Sequence, residues 1–157
     1  TGLSYSDMKG LRNSNIQDFF DGNQWIIVRR KKTATSSNVM LLDIPKMIIE
    51  KYAGFSKDGK VFPVPSNTIC NDGLKRISQL IDCLVEKKVT FHLARHTFAT
   101  LFLSEGVPLE SLSKMLGHKN IATTQIYAKI LNEKVGKDMQ KVSHKFKGME
   151  ESFVSSL

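Results

Sequence analysis

The chain has 157 residues and carries 23 Lys and Arg against 15 Asp and Glu, a formal net charge of +8. This length suits one domain that buries roughly 70% of its unfolded surface, and the basic excess favours an acidic polymer such as nucleic acid as partner. No apolar run approaches the roughly eighteen residues that cross a bilayer and no targeting segment is visible, which argues against a membrane protein and predicts a soluble, cytoplasmic one; Cys70 and Cys83 lack C-x-x-C spacing and read as buried, reduced thiols rather than a zinc site.

The pattern predicts a helix-rich α+β domain with a small antiparallel sheet at one edge. Thr1 to Leu11 reads as a short helix with Leu3, Met8 and Leu11 inward, ended near Gly10. Gln24 to Arg29 and Asn38 to Ile44 are β-rich runs around the polar RKKTATSS, which predicts a hairpin with a mobile basic loop. Pro45 opens a helix to about Ala53, and Val61 and Phe62 suggest a short third strand limited by Pro63 and Pro65. Asn67 or Asn71 then caps a helix to about Val85 with Leu74, Ile77, Leu80, Ile81 and Leu84 on its apolar face. Lys75 and Arg76 lie off that face, placed for solvent or for DNA phosphates.

The stretch Thr90 to Tyr127 reads as three helices joined by two turns. Thr90 caps the first, whose Phe91, Phe98, Leu101 and Phe102 fall at helical spacing, and Gly106 and Pro108 separate it from the second. Leu109, Leu112, Met115 and Leu116 form the second helix's buried face, Gly117 fits a left-handed position after its end, and Asn120 caps the helix that carries Tyr127. Beyond it, Ile130, Leu131, Val135, Met139 and Val142 predict an amphipathic C-terminal helix, followed by a weakly patterned tail from Gly148 to Leu157.

His92 and Arg95, three apart on a helix, project from one side and can converge on a small anion, while His118 and Tyr127 come from the next two junctions. Each alone has a plainer explanation: a surface or satisfied histidine, a salt-bridged arginine, a packing tyrosine whose phenol, with an ordinary pKa of about 10, is a poor nucleophile. Together, two imidazoles, a guanidinium and a phenol suit in-line attack of a tyrosine oxygen on a phosphodiester, with the pentavalent phosphorane held by charge-assisted hydrogen bonds and no metal required. His96 and His144 read as structural or exposed.

The ordered set H-x-x-R at His92 and Arg95, L-G-H at Leu116 to His118 and the tyrosine nine residues later resembles the C-terminal catalytic domain of the tyrosine recombinases, the phage integrase family. The opening TGLSYSDM resembles that family's first box, and the resemblance runs from Thr1 to about Val142. It implies a catalytic domain over residues 1–147, a tail over 148–157 that packs on a neighbouring subunit, and a separate DNA-clamping domain upstream of Thr1.

The resemblance also assigns roles. Tyr127 attacks DNA to give a 3′-phosphotyrosine and a free 5′-hydroxyl, Arg95 and His118 stabilise the phosphorane, and His92 accepts the tyrosine proton or holds the phosphate. The family's general-acid lysine lies on the hairpin, where Lys32 of the Lys32-Thr33 pair fits best and Lys31 is the reserve. In the first box Asp7 matches, as a supporting residue, but Ser4 stands where the family usually has a phosphate-gripping arginine, a position at which some integrases of mobile elements also depart from arginine. One neutral hydroxyl in place of a charged fork weakens transition-state binding by about 3 kcal/mol unless another cation compensates. Arg12, Arg29 and Arg30 are the candidates, although Arg29 and Arg30, like Lys31, more simply serve the DNA backbone.

The implied function is site-specific recombination or integration on double-stranded DNA with no metal or nucleotide cofactor, by a protein monomeric alone and homotetrameric on DNA, in a bacterial cytosol or nucleoid, with accessory DNA-bending proteins as further partners. A type IB topoisomerase-like relaxing enzyme and a weakened DNA-binding module, with Ser4 marking lost activity, are the alternatives.

Overall fold

The structure is a computed structural model that describes residues 1–30, 32–56, 58–80, 89–128, 135–136 and 138–143. Ser4 begins its first helix, α1 (Tyr5–Lys9): the Oγ accepts from the Asp7 amide at 3.3 Å, and Gly10 ends the turn. A 3-10 turn (Asn13–Asn15) leads into β1 (Ile16–Asp18), then β2 (Gln24–Arg29) and β3 (Ser36–Met40), which form an antiparallel sheet in the order β1-β2-β3. Ile26 stands opposite Ile16 and Val39, and Trp25 opposite Met40.

Period-two alternation turns Ile26 and Val28 inward from β2, and Ser37 and Val39 inward from β3. Ile26 and Val28 join Leu3, Leu11, Leu41 and Val61 in one core, against which Met8, Ile16, Ile49 and Phe62 pack. The second core lies among α4 (Phe91–Ser104), α5 (Leu109–Leu116) and α6 (Ala122–Ala128), where Phe98, Ala99, Leu103, Leu112, Leu116 and Tyr127 are buried. Strand β3 lies against α5, and the Ser37 hydroxyl donates to the Met115 carbonyl at 2.5 Å, which joins sheet to helices.

The predicted architecture holds, with local corrections. The third strand is β1, whereas the segment around Val61 contributes only an isolated bridge between Arg12 and Lys60. The run expected as strand to Ile44 stops at Met40, because α2 (Asp43–Lys51) begins two residues before Pro45. On α4 the inward positions are Phe98, Ala99 and Leu103, while Leu101 is exposed. Helix α3 (Asn67–Leu80) buries no residue fully; Leu74 is half-buried and Ile77 and Leu80 are exposed. Leu84, Ile81 and Cys83 lie outside the described residues, as do Ile130, Leu131, His144 and the tail; residues 135–136 and 138–143 are helical, with Val135, Met139 and Val142 exposed. Cys70 is half-buried with a free thiol. Among the described residues no helix is long and apolar enough to cross a membrane.

Candidate active site

Two glycines allow the chain to close on Arg95. Gly2 has φ +65, and a Cβ there would lie 2.4 Å from the Phe98 ring, so only glycine brings this segment close enough for its carbonyl to accept from Arg95 Nη1 at 2.6 Å. Gly117 has φ +59 after α5, and a Cβ there would lie 2.5 Å from Arg30 Cδ and 3.0 Å from Ser37 Cβ. Its left-handed turn places His118 at the head of the loop before α6.

Thr90 starts α4 by accepting from the Leu93 amide at 3.2 Å, and the Phe91 amide donates to Asn71 Oδ1 at 2.8 Å. That start fixes the direction of Arg95, which is buried and donates from Nη2 to the Leu116 carbonyl at 2.5 Å and to His118 Nε2 at 3.1 Å. A second guanidinium reaches the same place. Arg30, only 8% exposed, pairs through Nε with Asp7 Oδ2 at 3.0 Å and donates from Nη1 to the carbonyls of Leu116 and Gly117 at 3.2 and 3.1 Å. The C-terminal carbonyls of α5, which have no helical partners and carry the negative end of its dipole, thus hold two arginines side by side.

Two positive groups against one carboxylate leave the pocket short of negative charge. Burial, reinforced by Arg30, lowers the Arg95 pKa to about 10, while Tyr127 and Asp7 oppose that shift. Arg30 Nη2 and Arg95 Nε have no acceptor among the described residues. No buried side-chain nitrogen there lacks a partner, so both remain open to solvent.

The state of His118 follows from its neighbours. Arginine only donates, so Nε2 facing Arg95 must accept; Nδ1 therefore carries the hydrogen and donates to Thr124 Oγ1 at 2.8 Å. Burial first, then Arg95 and Arg30, lowers its pKa to about 4. An unfolded histidine titrates near 6.5, so as pH falls the unfolded chain takes up this proton first. The stability that His118 confers is therefore full above about pH 6.5 and is lost progressively towards about 4. The melting temperature should fall between pH 7 and 5, and fall less in His118→Gln; equal falls would contradict this assignment.

These groups open on a cavity of about 430 Å³, lined by Arg30, Lys32, Thr33, His92, Arg95, His96, His118, Lys119, Asn120, Thr123, Ile126 and Tyr127. Tyr127 is buried in the second core with its ring 5.1 Å from that of His96, which in turn lies 4.5 Å from His92, edge to face in both pairs. Lys32 is exposed at the rim. The structure therefore gathers Tyr127, Arg95, His92, His118 and Lys32 around one space.

The first box reaches this space indirectly. Ser4 Oγ donates to Asp7 Oδ2 at 2.6 Å, and Asp7 holds Arg30. Arg30 is thus not a surface contact for DNA backbone but part of the pocket wall, and of the three arginines considered at Ser4's expense it alone lines the cavity. Arg29 is exposed and donates to the Ala34 carbonyl, and Arg12 donates to the Asp58 carbonyl. Lys75 and Arg76 are exposed on α3, and Lys31 lies outside the described residues. His96, read from the sequence as structural or exposed, lines the cavity, its spacing of four from His92 placing it on the same helical face, whereas Thr124, whose contact with His118 has no sequence signature, was not singled out. Among the described residues no three His, Cys, Asp or Glu side chains are grouped to hold a metal ion.

The sequence profile of the phage integrase family matches residues 1–134. Tyrosine recombinase XerA of Saccharolobus solfataricus is 33% identical over 132 residues, 83% of this chain and 43% of that protein. The crystal structure of XerA recombinase superposes with a TM-score of 0.71 at 22% identity, covering 90% of this chain and 53% of the other, and that of XerH site-specific recombinase bound to a palindromic difH substrate, a post-cleavage complex, with 0.69 at 20% identity, covering 88% and 42%. The chain spans about half the length of these relatives. With the profile matched over most of its length and its architecture shared, this chain belongs to the phage integrase family, the tyrosine recombinases.

Proposed function

We propose that this domain cleaves and rejoins double-stranded DNA in site-specific recombination, through a 3′-phosphotyrosine at Tyr127. The observation that carries the reading is the cavity in which Tyr127 stands beside two buried guanidiniums and two further candidate groups for proton transfer. The Tyr127 oxygen forms a bond to phosphorus while the bond to the 5′ oxygen breaks and its electron pair goes to that oxygen. Lys32 gives the leaving oxygen a proton, and the phenol proton passes to the imidazoles of α4, where His92 is the acceptor the family pattern assigns. Bond energy is conserved in the phosphotyrosine, so the returning 5′-hydroxyl reverses the step without a nucleotide or metal cofactor.

Arg95 and Arg30 hold the phosphorane. Each has an unused nitrogen, and a charged donor aimed at the developing charge contributes about 3 kcal/mol to such a transition state. His118, neutral with Nε2 accepting, keeps Arg95 in place before DNA arrives; a phosphate that takes over that guanidinium frees Nε2 and favours its protonation, turning His118 into a donor. Exposed Arg29, Lys75 and Arg76, together with Lys31, contact the DNA backbone. In the whole protein the domain acts as a homotetramer on DNA and as a monomer alone, with the tail over 148–157 exchanged between subunits and DNA-bending proteins assisting, as the family resemblance implies.

The test is a denaturing gel on nicked duplex DNA at low salt. The native chain should give a covalent adduct that Tyr127→Phe abolishes with DNA binding unchanged. Salt-sensitive binding without any adduct would instead identify a noncatalytic binding module.

A further inference from the structure

The hairpin turn that carries Lys32 is tied at both ends to one carbonyl group. The Ala34 amide donates to the Arg30 carbonyl and the Arg30 amide to the Thr35 carbonyl, each at 2.9 Å, so residues 30 and 35 close the turn. Three side chains from it then meet the Gly117 carbonyl: Arg30 Nη1 at 3.1 Å, Thr33 Oγ1 at 3.1 Å and Thr35 Oγ1 at 2.6 Å. The two hydroxyls also lie 2.5 Å from each other. Two hydroxyl protons cannot serve all three oxygen contacts at once; the shortest carbonyl contact gives Thr35 as the donor to Gly117 and Thr33 as the donor to Thr35, so Thr33 is held through Thr35 to the same carbonyl. Ala34, between them, takes a left-handed φ of +54 to make this closure.

We propose that Thr33 and Thr35 form a latch that positions Lys32 over the leaving 5′ oxygen. This rests on the reading of Lys32 as the general acid. A lysine on an exposed turn spreads its ammonium over many rotamers, and fixing the backbone that follows it removes part of that freedom before DNA arrives. The anchor is the residue immediately before His118, so the latch also sets the hairpin in register with the phosphate-holding side of the cavity. Thr33 and Thr35 are positioning residues, since they act through Lys32 rather than on the substrate.

A bridging sulfur in place of the leaving 5′ oxygen separates this role from a merely structural one. The thiol, with a pKa of about 8.5, leaves as a thiolate and needs no proton. Single-turnover cleavage of matched oxygen and sulfur nicked duplexes would be measured for the native chain, Lys32→Ala, the paired Thr33→Val and Thr35→Val variant, and the paired Thr33→Ser and Thr35→Ser variant. Valine keeps the branched shape of threonine and loses only the hydroxyl, and a thermal melt shows that each variant is folded.

Lys32→Ala should cleave the oxygen substrate about a hundredfold more slowly and the sulfur substrate at close to the native rate. The paired valine variant should lose about tenfold on oxygen and almost nothing on sulfur, and the paired serine variant should restore the oxygen rate. Equal loss on both substrates would show that the hydroxyls only support the fold, and a native oxygen rate in the valine variant would show that they do nothing for Lys32; either result overturns the latch while leaving the Lys32 assignment intact. If sulfur fails to rescue Lys32→Ala, Lys32 is not the general acid and the latch falls with it.

Discussion

Replacing Arg30 by alanine is expected to slow formation of the phosphotyrosine by a hundredfold or more, roughly the loss that follows removal of one charged donor from a preorganised anion site. By the family resemblance Ser4 stands where a first-box arginine is expected, and Arg30 arrives from the end of β2 to hold Asp7, the carboxylate three residues after Ser4. It lines the cavity with Arg95 and has a nitrogen free for a phosphate oxygen. The same substitution removes the partner of a carboxylate whose side chain is only 5% exposed, which costs about 3–5 kcal/mol of stability. Arg30→Lys separates the two effects. It retains a positive charge near Asp7 and should recover much of the melting temperature, yet it lacks the planar fork that binds Asp7, two carbonyls and a phosphate together, so cleavage should remain at least about tenfold slow. Full activity in folded Arg30→Lys would show that charge alone suffices, and full activity in Arg30→Ala would remove Arg30 from the mechanism.

The second large effect is a reversal. Adding Ser4→Arg to Arg30→Ala should restore cleavage by about tenfold or more, because a guanidinium entering from α1 starts beside the same Asp7 and the same open phosphate position. Ser4 Oγ already touches Asp7 Oδ2 at 2.6 Å, and Ser4 lines an adjoining groove with His92 and Arg95. In the native background the same substitution should not help. It brings a third guanidinium to one carboxylate and removes the cap of α1, worth about 1 kcal/mol, so melting temperature and cleavage should both fall. Opposite signs of one substitution in the two backgrounds, read as a double-mutant cycle on single-turnover rates, would establish that positions 4 and 30 serve one seat. Equal effects in both would show that they do not.

How far the sequence revealed this site depends on distance along the chain. The helices α4 to α6 were legible because their signals are local: Thr90 and Asn120 as caps, Gly117 in a left-handed turn, and apolar residues at helical spacing. The ordered His92, Arg95, His118 and Tyr127 follow from those elements. Strand β1 escaped because three residues are too few to show alternation, and α3 misled because a helical apolar pattern does not say whether another element covers it. Arg30 was legible as a candidate but not as a buried one. It sits in a run of four cations that reads as a solvated loop, and its burial depends on Asp7, 23 residues earlier, and on carbonyls more than 80 residues later. Thr33 and Thr35 looked like ordinary loop residues for the same reason.

The measurement that tests the central claim most directly is the chemical identity of the covalent bond. The native chain would be trapped on a nicked duplex without divalent metal, digested, and the DNA-bearing peptide sequenced by mass spectrometry. The account predicts a phosphodiester from the Tyr127 oxygen to a DNA 3′ end, with a free hydroxyl on the released 5′ end. Attachment to any other residue, or to a 5′ phosphate, would contradict it.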